Sequence, residues 1–122
     1  MWPRILLALG ALLLLATAAF HATGLAMVSA WFSDERAGIM RLLWLTPTVD
    51  WTLVALFWAY VALKARADLR MLAIAAALVP TIAAIGLFRA IGTAHPGPFM
   101  LGGAAALAIA GAAALRVRRP LP

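Results

Sequence analysis

The sequence predicts an all-α integral membrane protein, a bundle of four transmembrane helices with both termini in the cytoplasm. Composition is the first reason: of 122 residues, 66% are hydrophobic and 11% charged, against roughly 45–50% and about 25% in an ordinary soluble domain. Length is the second. A membrane helix takes about 20 apolar residues, so four use roughly 80 positions and leave about 40 for loops and termini. Residues 1–122 therefore read as one transmembrane domain with no room for a soluble one. The third reason is where the charges fall, which follows once the spans are placed.

No charged side chain occurs from Ile5 to Ser33. The run opens like a secretory signal, with Arg4, an apolar stretch to Leu15 and the small-x-small pattern Ala16-Thr17-Ala18. It continues without a charged residue to Phe32, however, which favours a retained first span over about residues 5–23. Gly24 to Phe32 then forms its emerging end or an interfacial segment, because one helix over the whole run would reach about 40 Å, beyond the roughly 30 Å apolar layer.

Ser33, Asp34 and Glu35 look like a helix start, a hydroxyl cap with acids in the first turn. A helical stretch from there runs through Ile39, Leu42, Leu43 and Leu45 until Pro47 interrupts it. Between Asp50 and Lys64 lie only 13 residues, about 20 Å of helix, too few to cross. The second span therefore extends back over residues 42–63, which carries Pro47 and Asp50 into the apolar layer.

The third span, residues 71–88, lies between Arg70 and Arg89 and holds Pro80 near its middle with Thr81 beside it. A proline there frees a carbonyl that a neighbouring helix or hydroxyl must satisfy. The fourth, residues 99–115, follows the Pro96-Gly97-Pro98 turn and consists mostly of Ala, Gly and Leu.

Lys and Arg concentrate on the cytoplasmic side of membrane proteins. With these spans, Arg4, Lys64, Arg66, Arg70, Arg116, Arg118 and Arg119 share one side with Asp68, and Arg36, Arg41 and Arg89 share the other with Asp34, Glu35 and Asp50. One side nets +6 and the other zero, so both termini are expected inside and the first and third loops outside. The Ala-, Leu- and Arg-rich, Lys-poor composition suits a GC-rich bacterial genome, and hence the inner membrane. Nucleic acid is excluded as a partner, because the basic residues sit in small groups at the ends of apolar runs rather than in one patch.

An ionisable residue at membrane depth is a candidate site residue, since leaving it unpaired in hydrocarbon costs kilocalories. Asp50 lies about 21 Å up the second helix from Lys64, His21 about 25 Å up the first from Arg4, and Arg89 about 28 Å up the third from Arg70. In a catalytic reading Asp50 is the general base or acid, His21 its partner, and Arg89 a stabiliser of developing negative charge. Trp44, Thr48 and Trp51 sit at similar depth with Arg41 and His95 at the rim. With Trp58, one heptad from Trp51, they form the expected wall of a pocket for a lipophilic ligand. The structural readings run alongside. Asp50 can be a cap or first-turn acid after Thr48, with Lys64 snorkelling; His21 can make an interhelical hydrogen bond; His95 can be an exposed turn residue; Trp2 and Trp31 fit interfacial anchors.

The two histidines lie on different spans without a Glu-x-x-His motif, so no metal site is expected and no cofactor is assigned. With no cysteine, disulfides and thiolate chemistry are absent. Gly102-Gly103 precedes alanines rather than a basic residue or hydroxyl, so it is no phosphate loop. Gly102, Ala106, Ala110 and Ala114 recur every four residues, with Gly103 and Gly111 eight apart. Such a face serves close helix packing, within the bundle or against a second copy or partner subunit.

Three functions follow. The first is a small membrane protein that binds a lipophilic ligand or serves as an accessory or structural subunit in the bilayer. The second is an intramembrane enzyme doing proton-transfer or isomerase chemistry on a lipophilic substrate. The third is a small dimeric transporter, which wants an acid in the first span where this chain has none.

Overall fold

The computed structural model describes residues 1–32 and 35–116. Within them every regular element is helical: α1 (Trp2–Thr23), α2 (Leu25–Ala30), α3 (Glu35–Lys64), a single 3₁₀ turn (Ala67–Leu69), α4 (Arg70–Ala76), α5 (Leu78–Ile91) and α6 (Gly97–Ala113). Three stretches are long and apolar enough to cross a membrane, Trp2–Ala30, Arg36–Lys64 and Ala67–Ile91, and Gly97–Ala113 is a shorter apolar helix. Pro3 and Pro98 stand in the first turns of α1 and α6, where a missing N–H costs nothing.

The boundaries differ from the sequence expectations in two places. Pro47 does not interrupt a helix; it lies inside the unbroken α3. A proline removes one backbone hydrogen bond, and the packing of α3 along α1 holds the helix through that loss. The third apolar stretch, by contrast, is broken at Ala77 into α4 and α5. At Gly24 the chain passes from α1 to α2 with only a slight break, the Gly24 backbone remaining near helical values at φ −72° and ψ −12°. The expected cap at Ser33 and Asp34 lies outside the described residues, as do Arg118 and Arg119.

The break at Ala77 follows from Pro80, whose ring clashes with the carbonyl of Ala76 and offers it no N–H. The local chain tightens, so the Ala77 N–H turns to Ile74 O at 3.0 Å and leaves the Ala73 carbonyl without its usual partner. Trp58, fully buried, supplies one: its Nε1–H donates to Ala73 O at 3.0 Å. Thr81 Oγ1 donates to Ala77 O at 2.7 Å. The neighbouring helix thus supplies the missing donor at Ala73 O, while the Thr81 hydroxyl is a second donor to Ala77 O, which the Thr81 N–H also reaches at 3.1 Å.

Size sorts inversely from a soluble protein. Among the described residues, twelve of the twenty buried apolar residues are alanines, while Leu12, Leu42, Leu53, Leu63, Met71, Ile82 and many other large apolar side chains face outward. Water would drive those side chains inward. Between helices in lipid there is no such drive, and small residues that let backbones approach are favoured at the contacts. The closest approach is between α1 and α6, which run antiparallel: a Cβ on Gly10 would lie 2.9 Å from Ala104 O, and one on Gly111 would lie 2.6 Å from Leu7 N and 2.7 Å from Pro3 O. Helix α1 also packs along α3, and α6 carries α4 and α5 on its other side. The buried face of α6 is Leu101, Ala104, Ala105, Ala108, Gly111 and Ala112. Of the small residues expected to pack, Gly111 lies on this face, whereas Ala106 and Ala110 are exposed and a Cβ on Gly102 would meet nothing within 4 Å.

At the end of the bundle that carries Met1, α1 and α3 are tied by Arg4. Its Nε and Nη2 donate to Ala62 O and Leu63 O at 2.7 and 2.8 Å, carbonyls of the last turn of α3, where the regular helical pattern ends and Ala62 O otherwise has only the long 3.4 Å bond from the Ala65 N–H. Ala65 then turns the chain with φ 52°, and Arg66 N–H donates back to Val61 O at 3.1 Å. This is a Schellman termination built on alanine where glycine is usual.

Candidate functional site

The polar residues of the opposite end gather at the seam between α1 and α3, around His21. The imidazole Nδ1 and the Thr48 hydroxyl are 2.9 Å apart. Their antiparallel helices bring them together as the tie at Arg4 does at the other end. One face of the ring stacks on Trp44, with centroids 4.3 Å apart and planes 12° from parallel, and Trp51 meets it edge-on at 5.1 Å and 72°. Trp44 also fixes the backbone, its Nε1–H donating to His21 O at 2.9 Å. The fit depends on Gly24, where a Cβ would sit 2.6 Å from Trp44 Cζ2. Four sequence candidates, His21, Thr48, Trp44 and Trp51, thus form one cluster, with Trp51 buried and His21 half-buried.

Height along the bundle can be read from Phe20, whose ring lies 5.7 Å from that of His95. His95 stands in the turn between α5 and α6, exposed, with Nδ1 accepting the Gly97 N–H at 3.1 Å. His21 is therefore level with the end of the α5–α6 hairpin, and the first part of α3 together with α2 continues past it. In that extension Arg41 Nε donates to Ser29 Oγ at 3.1 Å, joining α3 to α2.

Asp50 and Arg89 share this level but not the cluster. Asp50 is one residue from Trp51 yet points outward from α3, exposed. Arg89, also exposed, borders a shallow groove of ≈ 260 Å³ between α5 and α6 with Ala84, Ile85, Phe88, Pro98 and Phe99. Among the described residues no hydrogen bond or ion pair joins Asp50, His21 and Arg89 to one another. Trp58 belongs to the repair of the Pro80 break and lies away from the cluster. The chain matches no protein-family model, no curated protein and no solved structure.

Chemically the cluster is a closed set of contacts. Thr48 takes Nδ1, Trp44 stacks on the ring and Trp51 meets its edge, and among the described residues no carboxylate is hydrogen-bonded to it. Among the described residues no group of three or more His, Asp or Glu is placed to hold a metal ion. The site that sequence reasoning does not anticipate lies at the Met1 end. There Arg66 grips Asp68 with Nε–Oδ1 at 2.8 Å and Nη2–Oδ2 at 2.6 Å, and Nη1 donates to Tyr60 Oη at 3.2 Å. The hydrogen bonds and charge of Asp68 hold the Arg66 guanidinium above the ordinary arginine range. The signal available in the sequence is the grouping of arginines on one side, which by itself reports only orientation.

Proposed function

We propose that this chain is a four-span integral membrane protein of the bacterial inner membrane, both termini inside, that works without catalysis as an accessory subunit or holder of a lipophilic ligand. The observation that carries the non-catalytic reading is the enclosure of His21 by Thr48, Trp44 and Trp51 with Asp50 turned away. An acid–base pair needs its members within hydrogen-bond reach or one water apart. What these residues do instead is fasten α1 to α3 at the end opposite Arg4. Gly97–Ala113 serves as the fourth span: its 17 residues give about 25 Å of helix, short for the roughly 30 Å layer, which a locally thinner bilayer accommodates. The orientation is supported by Arg4, Lys64, Arg66, Arg70 and Arg116, which cluster at the Met1 end.

The groove between α5 and α6 is the seat that suits a lipophile. Ile85, Phe88 and Phe99 give it apolar walls, and Arg89 at its edge suits an anionic head. The test compares wild type, His21→Ala and Asp50→Asn by thermal unfolding in detergent and by native mass spectrometry of co-purified molecules. The expected outcome is that His21→Ala lowers the melting temperature, while Asp50→Asn changes neither stability nor bound lipid. Turnover of a lipophilic substrate that disappears in a folded Asp50→Asn variant would overturn the proposal.

A further inference from the structure

A recess of ≈ 1130 Å³ opens at the end of the bundle that carries Met1, between the start of α1, the turn before α4 and the end of α6. Its lining includes Trp2, Arg4, Asp68, Arg70 and Arg116, with alanines between them. Three arginines from three separate parts of the chain therefore line one space. Arg4 spends two of its N–H donors on Ala62 O and Leu63 O, which fixes its side chain and leaves three of the five donors an arginine carries. Among the described residues, Arg70 and Arg116 have no hydrogen bond or ion pair. The lining has one acid, Asp68, and both of its oxygens are held by Arg66, so it does not neutralise the other three.

We propose that this recess binds the phosphate of an anionic phospholipid headgroup. Guanidinium forks match phosphate oxygens two at a time, and three of them around one space suit an anion with several oxygens better than a carboxylate. The recess lies where the apolar helices end, the height at which headgroups stand if the helices cross a bilayer. Basic pockets between helices on the cytoplasmic side take such headgroups. Trp2, 60% exposed at the edge, is the kind of side chain that settles at that depth. The lipid source rests on the membrane reading above; the phosphate chemistry rests on the recess alone.

The experiment uses the full chain purified in a nonionic detergent and titrated with phosphatidylglycerol, phosphatidylcholine or inorganic phosphate, with bound molecules counted by native mass spectrometry. The variants are Arg70→Gln with Arg116→Gln, which strips the recess, and Arg36→Gln with Lys64→Gln, which removes the same net charge from positions outside it. Phosphatidylglycerol should bind wild type and the Arg36/Lys64 variant alike, and bind the Arg70/Arg116 variant on the order of tenfold or more weakly. Competition by inorganic phosphate supports recognition of the phosphate itself. Binding of inorganic phosphate without phosphatidylglycerol would overturn the lipid source. Equal binding of phosphatidylcholine, or equal loss in both double variants, would overturn the site. Recovery of the wild-type chain from cells in the soluble fraction without detergent marks failure of the membrane reading, and is scored separately from these titrations.

Discussion

Trp58→Phe combined with Pro80→Ala probes how the fold copes with its central proline. Trp58 is fully buried, and its indole N–H satisfies Ala73 O, the carbonyl released when the chain tightens ahead of Pro80. Phenylalanine has no donor, so the carbonyl is left unpaired in the interior. In water-soluble cores that costs about 1–3 kcal/mol, but hydrogen bonds between membrane helices measure about 0.6 and at most about 1.7 kcal/mol in double-mutant cycles. A value of about 1 kcal/mol is therefore expected for the bond, and on the order of 1 kcal/mol more for the void left by the smaller ring. With alanine at position 80 the N–H returns and the clash is gone. The Ala77 N–H can then reach Ala73 O in an ordinary helical bond, and Trp58→Phe should cost only the void. Titration of the four proteins with a denaturing detergent, followed by far-UV circular dichroism, gives the coupling directly. A coupling of about 1 kcal/mol is expected; a cost of Trp58→Phe equal in both backgrounds within about 0.3 kcal/mol would refute the link between the proline and the tryptophan.

Two further outcomes are expected. Gly111→Ala should destabilise by about 1–3 kcal/mol, the range for overpacking, because its Cβ would strike backbone atoms of Pro3 and Leu7 that cannot swing aside. Gly102→Ala, open to its surroundings, should stay within about 0.5 kcal/mol of wild type, and equal effects in the same unfolding titration would contradict the α1–α6 packing. The chain has no cysteine, so single cysteines report sidedness: Thr93→Cys should react with an impermeant thiol reagent added to intact cells and Lys64→Cys only after lysis, the reverse pattern contradicting the N-in orientation.

How much of this is legible in the sequence depends on what kind of quantity each feature is. The apolar runs and the need to satisfy a carbonyl freed near Pro80 follow from composition and from the chemistry of one residue, so they need no knowledge of neighbours, whereas the actual break of the helix at Ala77 is not anticipated. Counting residues from charged boundaries gives height, which is why His21, Thr48, Trp44 and Trp51 can be assigned to one layer. It does not give direction around the helix axis. Asp50 and Arg89 belong to that layer by height yet face outward in different places, because the rotation of α3 and α5 is set by packing against α1 and α6. The same gap explains the fourth helix. A helix with 11 Ala or Gly among 17 residues offers little contrast between faces, so the spacing of Gly102, Ala106 and Ala110 does not reveal that contact falls on Ala104 and Ala108 beside Gly111. The continuity of α3 through Pro47 is likewise decided by tertiary packing, against local propensity.

The role of His21 as a latch between α1 and α3 is tested most directly by two double-mutant cycles read as unfolding free energies: His21→Ala with Thr48→Val, and His21→Ala with Asp50→Asn. The expected result is a coupling of about 0.6–1.7 kcal/mol with Thr48 and less than about 0.3 kcal/mol with Asp50. A coupling to Asp50 larger than that to Thr48 would contradict the latch and restore the acid–base pair.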